Sequence, residues 1–447
     1  MRRITITRKI NLLVLFIIAF MLMPSIFFAQ NSISVNSDTG KNKISIRNNR
    51  SNFEVKYEGE ITLSDDDKDI QDISSGGYIE IKKSSFGRSR KIVIEKEGNT
   101  LIRKFYIGWS EKEYDPEGKN WLADILPEIL RSTKVGAKSR VNRFYNKGGV
   151  NEVLSEIKKM DSDYVQSVYF KLLLKKELTT KETIKTLEIV GNTIKSDYYL
   201  SNVLRKNQQL FLKSSETLDA YITAAKNVNS DYYLNQIVKA TISNRNITDT
   251  QLARLLNISS DINSDYYLSD ILKEVMDNRE LNKQNMLLVM KLSKSINSDH
   301  YKSNILKKAL RSKNLSKGAY DSFLISLKDI NSDHYITEVI KEWLNNKLDE
   351  DRLNQVLESI KTNISSDNYA TTIYKKIASR NDLTENQLIN VLNATEKIGS
   401  SNYLSSTLLA FAPQVKKSSN RVKDVYIKVA KSISSETYFG RAMKAIY

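Results

Sequence analysis

From about residue 31 to residue 110 apolar and polar residues alternate with period two, as in Ile44/Ile46, Phe53/Val55/Tyr57, Ile79/Ile81, Ile92/Ile94 and Phe105/Ile107. That alternation predicts strands with one buried face. Gly76-Gly77 and Glu97-Gly98-Asn99 are turn signals between the last of them and predict a meander from Gly77 to Trp109. Beyond Pro116 the period changes. Trp121, Leu122, Ile125, Leu126, Ile129 and Leu130 recur at three- and four-residue steps, which predicts a helix that Pro127 kinks or breaks.

The rest of the chain repeats itself. Ser162, Ser196, Ser230, Ser264, Ser298, Ser332, Ser366 and Ser400 stand 34 residues apart without a slip, each opening a copy of Ser-Asp-x-Tyr-x-x-x-(Ile/Val). The first copy has Val165 at the Tyr place, the copy at Ser400 lacks the Asp, and a worn copy begins at Ser435. Within a unit, Tyr199, Leu200, Val203 and Leu204 recur as Tyr267, Leu268, Ile271 and Leu272, one apolar face of a first helix. About 18 residues after each Ser comes a helix-start signal: capping boxes at Thr248/Gln251 and Thr384/Gln387, with Asn282 and Ser316 at the same place in other copies. Each unit is then a helical hairpin that buries its stripe only against its neighbours. The predicted fold is mainly α, an α-solenoid of about eight 34-residue hairpins preceded by a small antiparallel β domain. Its predicted boundaries are 30–110 for the β-rich domain, 111–161 for a helical bridge and 162–447 for the repeats.

The first 29 residues read as a signal peptide: Arg2, Arg3, Arg8 and Lys9, then an apolar run from Ile10 to Met23, then Pro24 and Ser25 before Ala29. Export to the periplasm or beyond is expected, with anchoring by residues 10–28 as the alternative. The chain has no Cys and only two His among 447 residues, which removes thiol chemistry, disulfides and Cys-based zinc sites and leaves little imidazole for acid–base work. His300 and His334 lie in different repeats and read as surface residues. Asp65, Asp66, Asp67 and Asp69 form an acidic cluster that reads as a solvated turn. A calcium loop would need Gly where Ile70 stands and Glu where Gly76 stands.

The stretch from Gly76-Gly77-Tyr78-Ile79-Glu80-Ile81 through Trp121, Pro127, Arg131, Arg140-Val141 and Gly148-Gly149 to Ser162-Asp163-Tyr164 resembles a group of uncharacterised exported bacterial proteins. Some of these appear as the extracytoplasmic part of antibiotic-sensor-type membrane metallopeptidases. The resemblance covers roughly residues 75–447 and implies an envelope binding or sensing module. It transfers no catalytic residue, since the H-E-x-x-H of such a peptidase is missing from this sequence. The 34-residue period is that of tetratricopeptide repeats, whose residue signature is likewise missing.

Three columns of equivalent residues run along the repeats. Asp163, Asp197, Asp231, Asp265, Asp299, Asp333 and Asp367 open the first helices, where an acid suits the cap and the dipole. Lys171, Arg205, Lys239, Lys273, Lys307, Lys341 and Lys375 follow eight residues later and read either as dipole compensation or as a basic stripe roughly 60 Å long. The third column, Tyr164, Tyr198, Tyr232, Tyr266, His300, His334, Asn368 and Asn402, reads as half exposed, and the Tyr beside it, from Tyr199 to Tyr403, as core. With a net charge of +17, the chain suits an acidic glycan, an anionic surface or a protein as partner. Nucleic acid is not expected outside the cytoplasm, nor is any cofactor or metal, and membrane contact is expected only if residues 10–28 stay attached. The candidate ligand-binding residues are Lys239, Lys273, Lys307 and Lys341 with Tyr198, Tyr232 and Tyr266. The functional expectation is a non-catalytic exported binding scaffold. Its alternatives are a membrane-tethered sensor ectodomain and a glycan hydrolase using a carboxylate pair.

Overall fold

The computed structural model describes residues 32–38, 41–47, 52–85, 87–244, 247–312 and 315–447. The expected signal peptide lies outside them. Among the described residues no helix is long and apolar enough to cross a membrane. The chain divides into two compact units, Met1–Leu172 and Leu173–Tyr447.

Unit 1 is built on an antiparallel sheet. Strands β1 (Ser32–Asp38), β2 (Lys41–Arg47), β3 (Asn52–Glu58), β6 (Tyr78–Ser85), β7 (Arg88–Glu97), β8 (Thr100–Ile107) and β9 (Ser110–Lys112) lie side by side in that order. The short hairpin β4 (Ile61–Leu63) and β5 (Ile70–Ile73) is an excursion between β3 and β6. The register aligns Ile44, Val55, Ile81, Ile92 and Phe105 across five strands, and all five are buried. The other face is charged, with Lys56 bridging Glu54 at 3.1 Å and Glu80 at 2.9 Å.

Three helices complete unit 1: α1 (Lys119–Ser132), α2 (Ala137–Ile157) and α3 (Asp163–Leu173). The first helix of the segment expected as a bridge packs on the sheet. Trp121, Leu122, Ile125, Leu126, Ile129 and Leu130 of α1 share one apolar cluster with the sheet, and the Trp121 ring lies 5.8 Å from that of Phe105. Gly118 admits α1 this close, because a Cβ there would come within 2.9 Å of the Phe105 side chain. Pro127 lies inside α1, which continues past it to Ser132.

In the acidic turn Asp65 and Asp66 are exposed as expected, and Asp67 is the exception. Asp67, at φ 58°, is largely buried, and its carboxylate accepts hydrogen bonds from Arg140 at 2.8 Å and from Arg143. Arg140, 2% exposed, also bonds Glu156 at 2.7 Å and the Tyr169 hydroxyl at 2.5 Å. Burial opposes the Arg140 charge, but Tyr169, Asp67 and Glu156 outweigh it and hold the guanidinium above its usual range. The turn is therefore a clamp that fastens the β4–β5 hairpin to α2.

Unit 2 and the helix that precedes it are the expected array. First helices begin at Asp163, Asp197, Asp231, Asp265, Asp299, Asp333, Asp367 and Ser401, each followed by a second helix, and Glu436–Lys444 is a lone first helix at the end. Along unit 2, first helices pack on first helices of the next repeat, and second on second. The capping boxes at Thr248/Gln251 and Thr384/Gln387 form, as do others at Thr179/Glu182 and Ser214/Thr217. Asn282 and Ser316 cap as expected.

Candidate functional site

The Asp column does not cap its own helices. From Asp231 onward each carboxylate reaches the next repeat and accepts the two backbone N–H groups of the turn that opens it. Asp231 takes Asn263 and Ser264 at 3.2 and 2.8 Å, Asp265 takes Asn297 and Ser298 at 3.0 and 2.7 Å, and Asp299 takes Asn331 and Ser332 at 3.2 and 2.9 Å. Asp333 does the same with Ser365 and Ser366, and Asp367 with Gly399 and Ser400. Where the Asp is missing, the Ser401 hydroxyl meets that of Ser434 at 2.9 Å. Most of the Ser residues at the cap position make no side-chain cap bond either; Ser264 is one that does. A bond that must reach the same turn in each neighbour explains a period of 34 with no slip.

A second set of ties closes the far ends of the first helices. Arg279 donates to the carbonyls of Ile242, Asn244 and Ile247, Arg380 to those of Leu344 and Asn346, and Gln414 to those of Ala378 and Arg380. The carbonyls of Ile242, Leu344 and Ala378 stand at helix C-termini, where no N–H of the helix reaches them, and the others lie in the loops that follow.

Between the two sets of ties lies the aromatic column. Tyr198, Tyr232 and Tyr266 are 51%, 46% and 54% exposed, and His300 and His334 occupy the same position, also exposed. The inner Tyr column corrects the sequence reading: Tyr199, Tyr233, Tyr267, Tyr301, Tyr335, Tyr369 and Tyr403 are half-buried, and the core starts one residue later at Leu200 and Leu268. From Tyr233 to Tyr335 each inner ring touches the outer ring of its own repeat and that of the repeat before. Tyr233 lies 5.0 Å from Tyr232 and 6.2 Å from Tyr198, and Tyr267 lies 5.1 Å from Tyr266 and 6.0 Å from Tyr232. His300 and His334 carry the chain of edge-to-face contacts on through Tyr301 and Tyr335 to Tyr369. The result is an unbroken ladder of rings from Tyr199 to Tyr369.

The basic column runs beside the ladder but is not a bare stripe. Lys239 bonds Asp270 at 2.9 Å with Glu274 at 3.6 Å, Lys341 pairs with Glu338 at 2.9 Å, and Arg205 donates to Gln236. Lys273 and Lys307 are half-buried. Hydrogen bonding to Lys341 and to Arg311 holds the carboxyls of Glu338 and Glu342 below the usual range. A shallow cleft lined by Tyr198, Asn202, Arg205, Gln208 and Tyr233 opens at the start of the ladder. Sequence reasoning found both columns and missed the ties. The signal was present, because an ordinary cap accepts Ser, Thr, Asn or Asp whereas this place holds Asp in seven consecutive copies.

No protein-family model matches the chain, and no curated protein matches it. A structure described as "Computational Design of Self-Assembling Cyclic Protein Homooligomers" is similar over 69% of this chain and 96% of its own, at 10% identity and a TM-score of 0.13. A likeness that shallow supports no inference about this protein.

Proposed function

We propose that this chain is an exported, non-catalytic scaffold whose repeat unit holds an extended acidic glycan along the ring ladder. The observation that carries the reading is the ladder itself. Successive half-exposed rings at about 10 Å steps suit a long polymer better than a small molecule, and ring faces stack on the apolar faces of sugars. Charge supports the acidic class, but only as a neighbour of the rings, since Lys239 and Lys341 already hold carboxylates. Carboxylate-pair hydrolysis is disfavoured because the Asp column spends its oxygens on backbone N–H groups of the next repeat.

Affinity electrophoresis tests this, with gels containing either polygalacturonate or neutral dextran. Wild-type protein is expected to be retarded by polygalacturonate alone, less so as salt rises. Replacing Tyr198, Tyr232 and Tyr266 together by Ala should abolish the retardation. Replacing Lys239, Lys273, Lys307 and Lys341 by Gln should weaken it. Undiminished retardation of the triple Tyr variant would remove the ladder from the binding surface.

A further inference from the structure

Away from the repeats, one end of the unit 1 sheet carries a side chain that its fold does not use. Trp109 is 100% exposed at the tip of the β8–β9 turn, and Ile107 beside it is 36% exposed. The other two Trp, Trp121 and Trp343, are 7% and 1% exposed. The Gly108 N–H donates to the Ser89 carbonyl at 2.8 Å, so this turn lies against the start of β7, where Arg88 and Arg90 are exposed. Of the acids near this end, Glu117 pairs with Arg90 at 3.7 Å, which leaves Arg88 as the cation in excess, and Glu111 stands opposite Tyr106 in the register. An indole projected into water with cations beside it matches the water–lipid boundary, where an aromatic ring with a polar N–H sits at headgroup level.

The register adds a second observation. Ser32 pairs with Arg47, Arg47 with Asn52, Asn52 with Ser84, Ser84 with Ser89, and on the next strands Arg90 pairs with Ile107 and Ile107 with Ser110. The chain therefore enters β1 in the row of strand ends that also holds the Trp109 turn. Only three residues separate Phe28, the last of the expected anchor segment 10–28, from Ser32, four steps of chain or about 14 Å at most.

We propose that the Trp109 turn is a membrane-contact site, inserting its indole into the interface of a bilayer that carries anionic lipid. Fluorescence of the full chain in vesicles of phosphatidylethanolamine and phosphatidylglycerol tests it, because one exposed Trp reports against two buried ones. Brominated lipids should quench part of the emission, and that part should vanish in Trp109→Phe, while Arg88→Gln with Arg90→Gln should reduce it. Trp109 is wholly outside the core, so circular dichroism of Trp109→Phe should match the wild type. Trp109 emission untouched by brominated lipid overturns the proposal. So does Trp109 shielded from acrylamide yet not quenched by the lipid, which would put a protein surface there instead.

Discussion

The two units solve the same problem in opposite ways. Unit 1 gathers its buried charge into one knot: Arg140 joins a turn 73 residues away, Glu156 and Tyr169, and Arg143 ties the same turn through Asp67 and the Ser64 carbonyl. Unit 2 spreads its ties thinly, with one carboxylate and two N–H groups per junction, repeated from Asp231 to Asp367. A defect in the first should be felt through the whole unit. In the second it should stay near one junction, since stability in a repeat array is close to a sum over neighbours. Trp121 and Trp343, each the only buried Trp of its unit, report on the two separately.

The largest expected effect follows from removing Arg140. Arg140→Ala takes the buried guanidinium from Asp67, Glu156 and Tyr169, leaving Arg143 on Asp67 and Lys159 on Glu156, and should cost about 3 kcal/mol, the low end for breaking a buried pair. Urea unfolding followed by Trp121 should shift strongly while the Trp343 transition stays in place. Equal shifts in both would break the contrast.

High pH should strain both units through buried hydroxyls. Burial pushes Tyr169 and Tyr221 up to about 12, against the opposing pull of Arg140 on Tyr169 and of the Thr241 and Gln208 hydrogen bonds on Tyr221. A folded pKa above the unfolded value of about 10 gives stability that is fully present below pH 10 and lost as pH rises through 12. The loss is on the order of 3 kcal/mol for each hydroxyl. Thermal melts between pH 9 and 12 check this, and Tyr221→Phe should flatten the fall in unit 2 alone.

Cutting one junction should do less. Asp265→Ala leaves the Asn297 and Ser298 amides without their acceptor and should cost about 2 kcal/mol. The ladder comes last. Tyr267→Ala loses two ring contacts and should cost about 1–2 kcal/mol, and Tyr266→Ala about 1 kcal/mol or less. Chemical denaturation of the two variants side by side checks the half-buried position of the inner ring. A cost for Tyr267→Ala near that of a core aromatic would return that ring to the interior.

What was legible in the sequence was whatever repeats locally. Period-two runs gave the strands, and Thr followed three residues later by Gln gave second-helix starts at Thr248 and Thr384, because both patterns are complete within a few residues. The ties were not legible in that way. The donors at Asn297 and Ser298 are backbone amides, which every residue except Pro possesses, so nothing at the far end of the bond marks it. The Arg140–Asp67 pair joins two single residues with no second copy to betray it. Tyr199 to Tyr403 misled for a different reason. A repeated aromatic position need not be buried: from Tyr233 to Tyr335 each inner ring meets the outer rings of two repeats. Of the candidate site residues, Tyr198, Tyr232 and Tyr266 are brought together by the ladder, and Lys239 and Lys341 are drawn partly into ion pairs.

The claim that the 34-residue period is a bonding pattern has a direct measurement in hydrogen exchange of the amides at Ser264, Ser298, Ser332, Ser366 and Ser400. The wild-type protein should protect all five. In Asp265→Ala the Ser298 amide should exchange much faster while Ser366 and Ser400 keep their rates. Protection at Ser298 that survives the substitution, or five amides that lose protection together, would contradict the account.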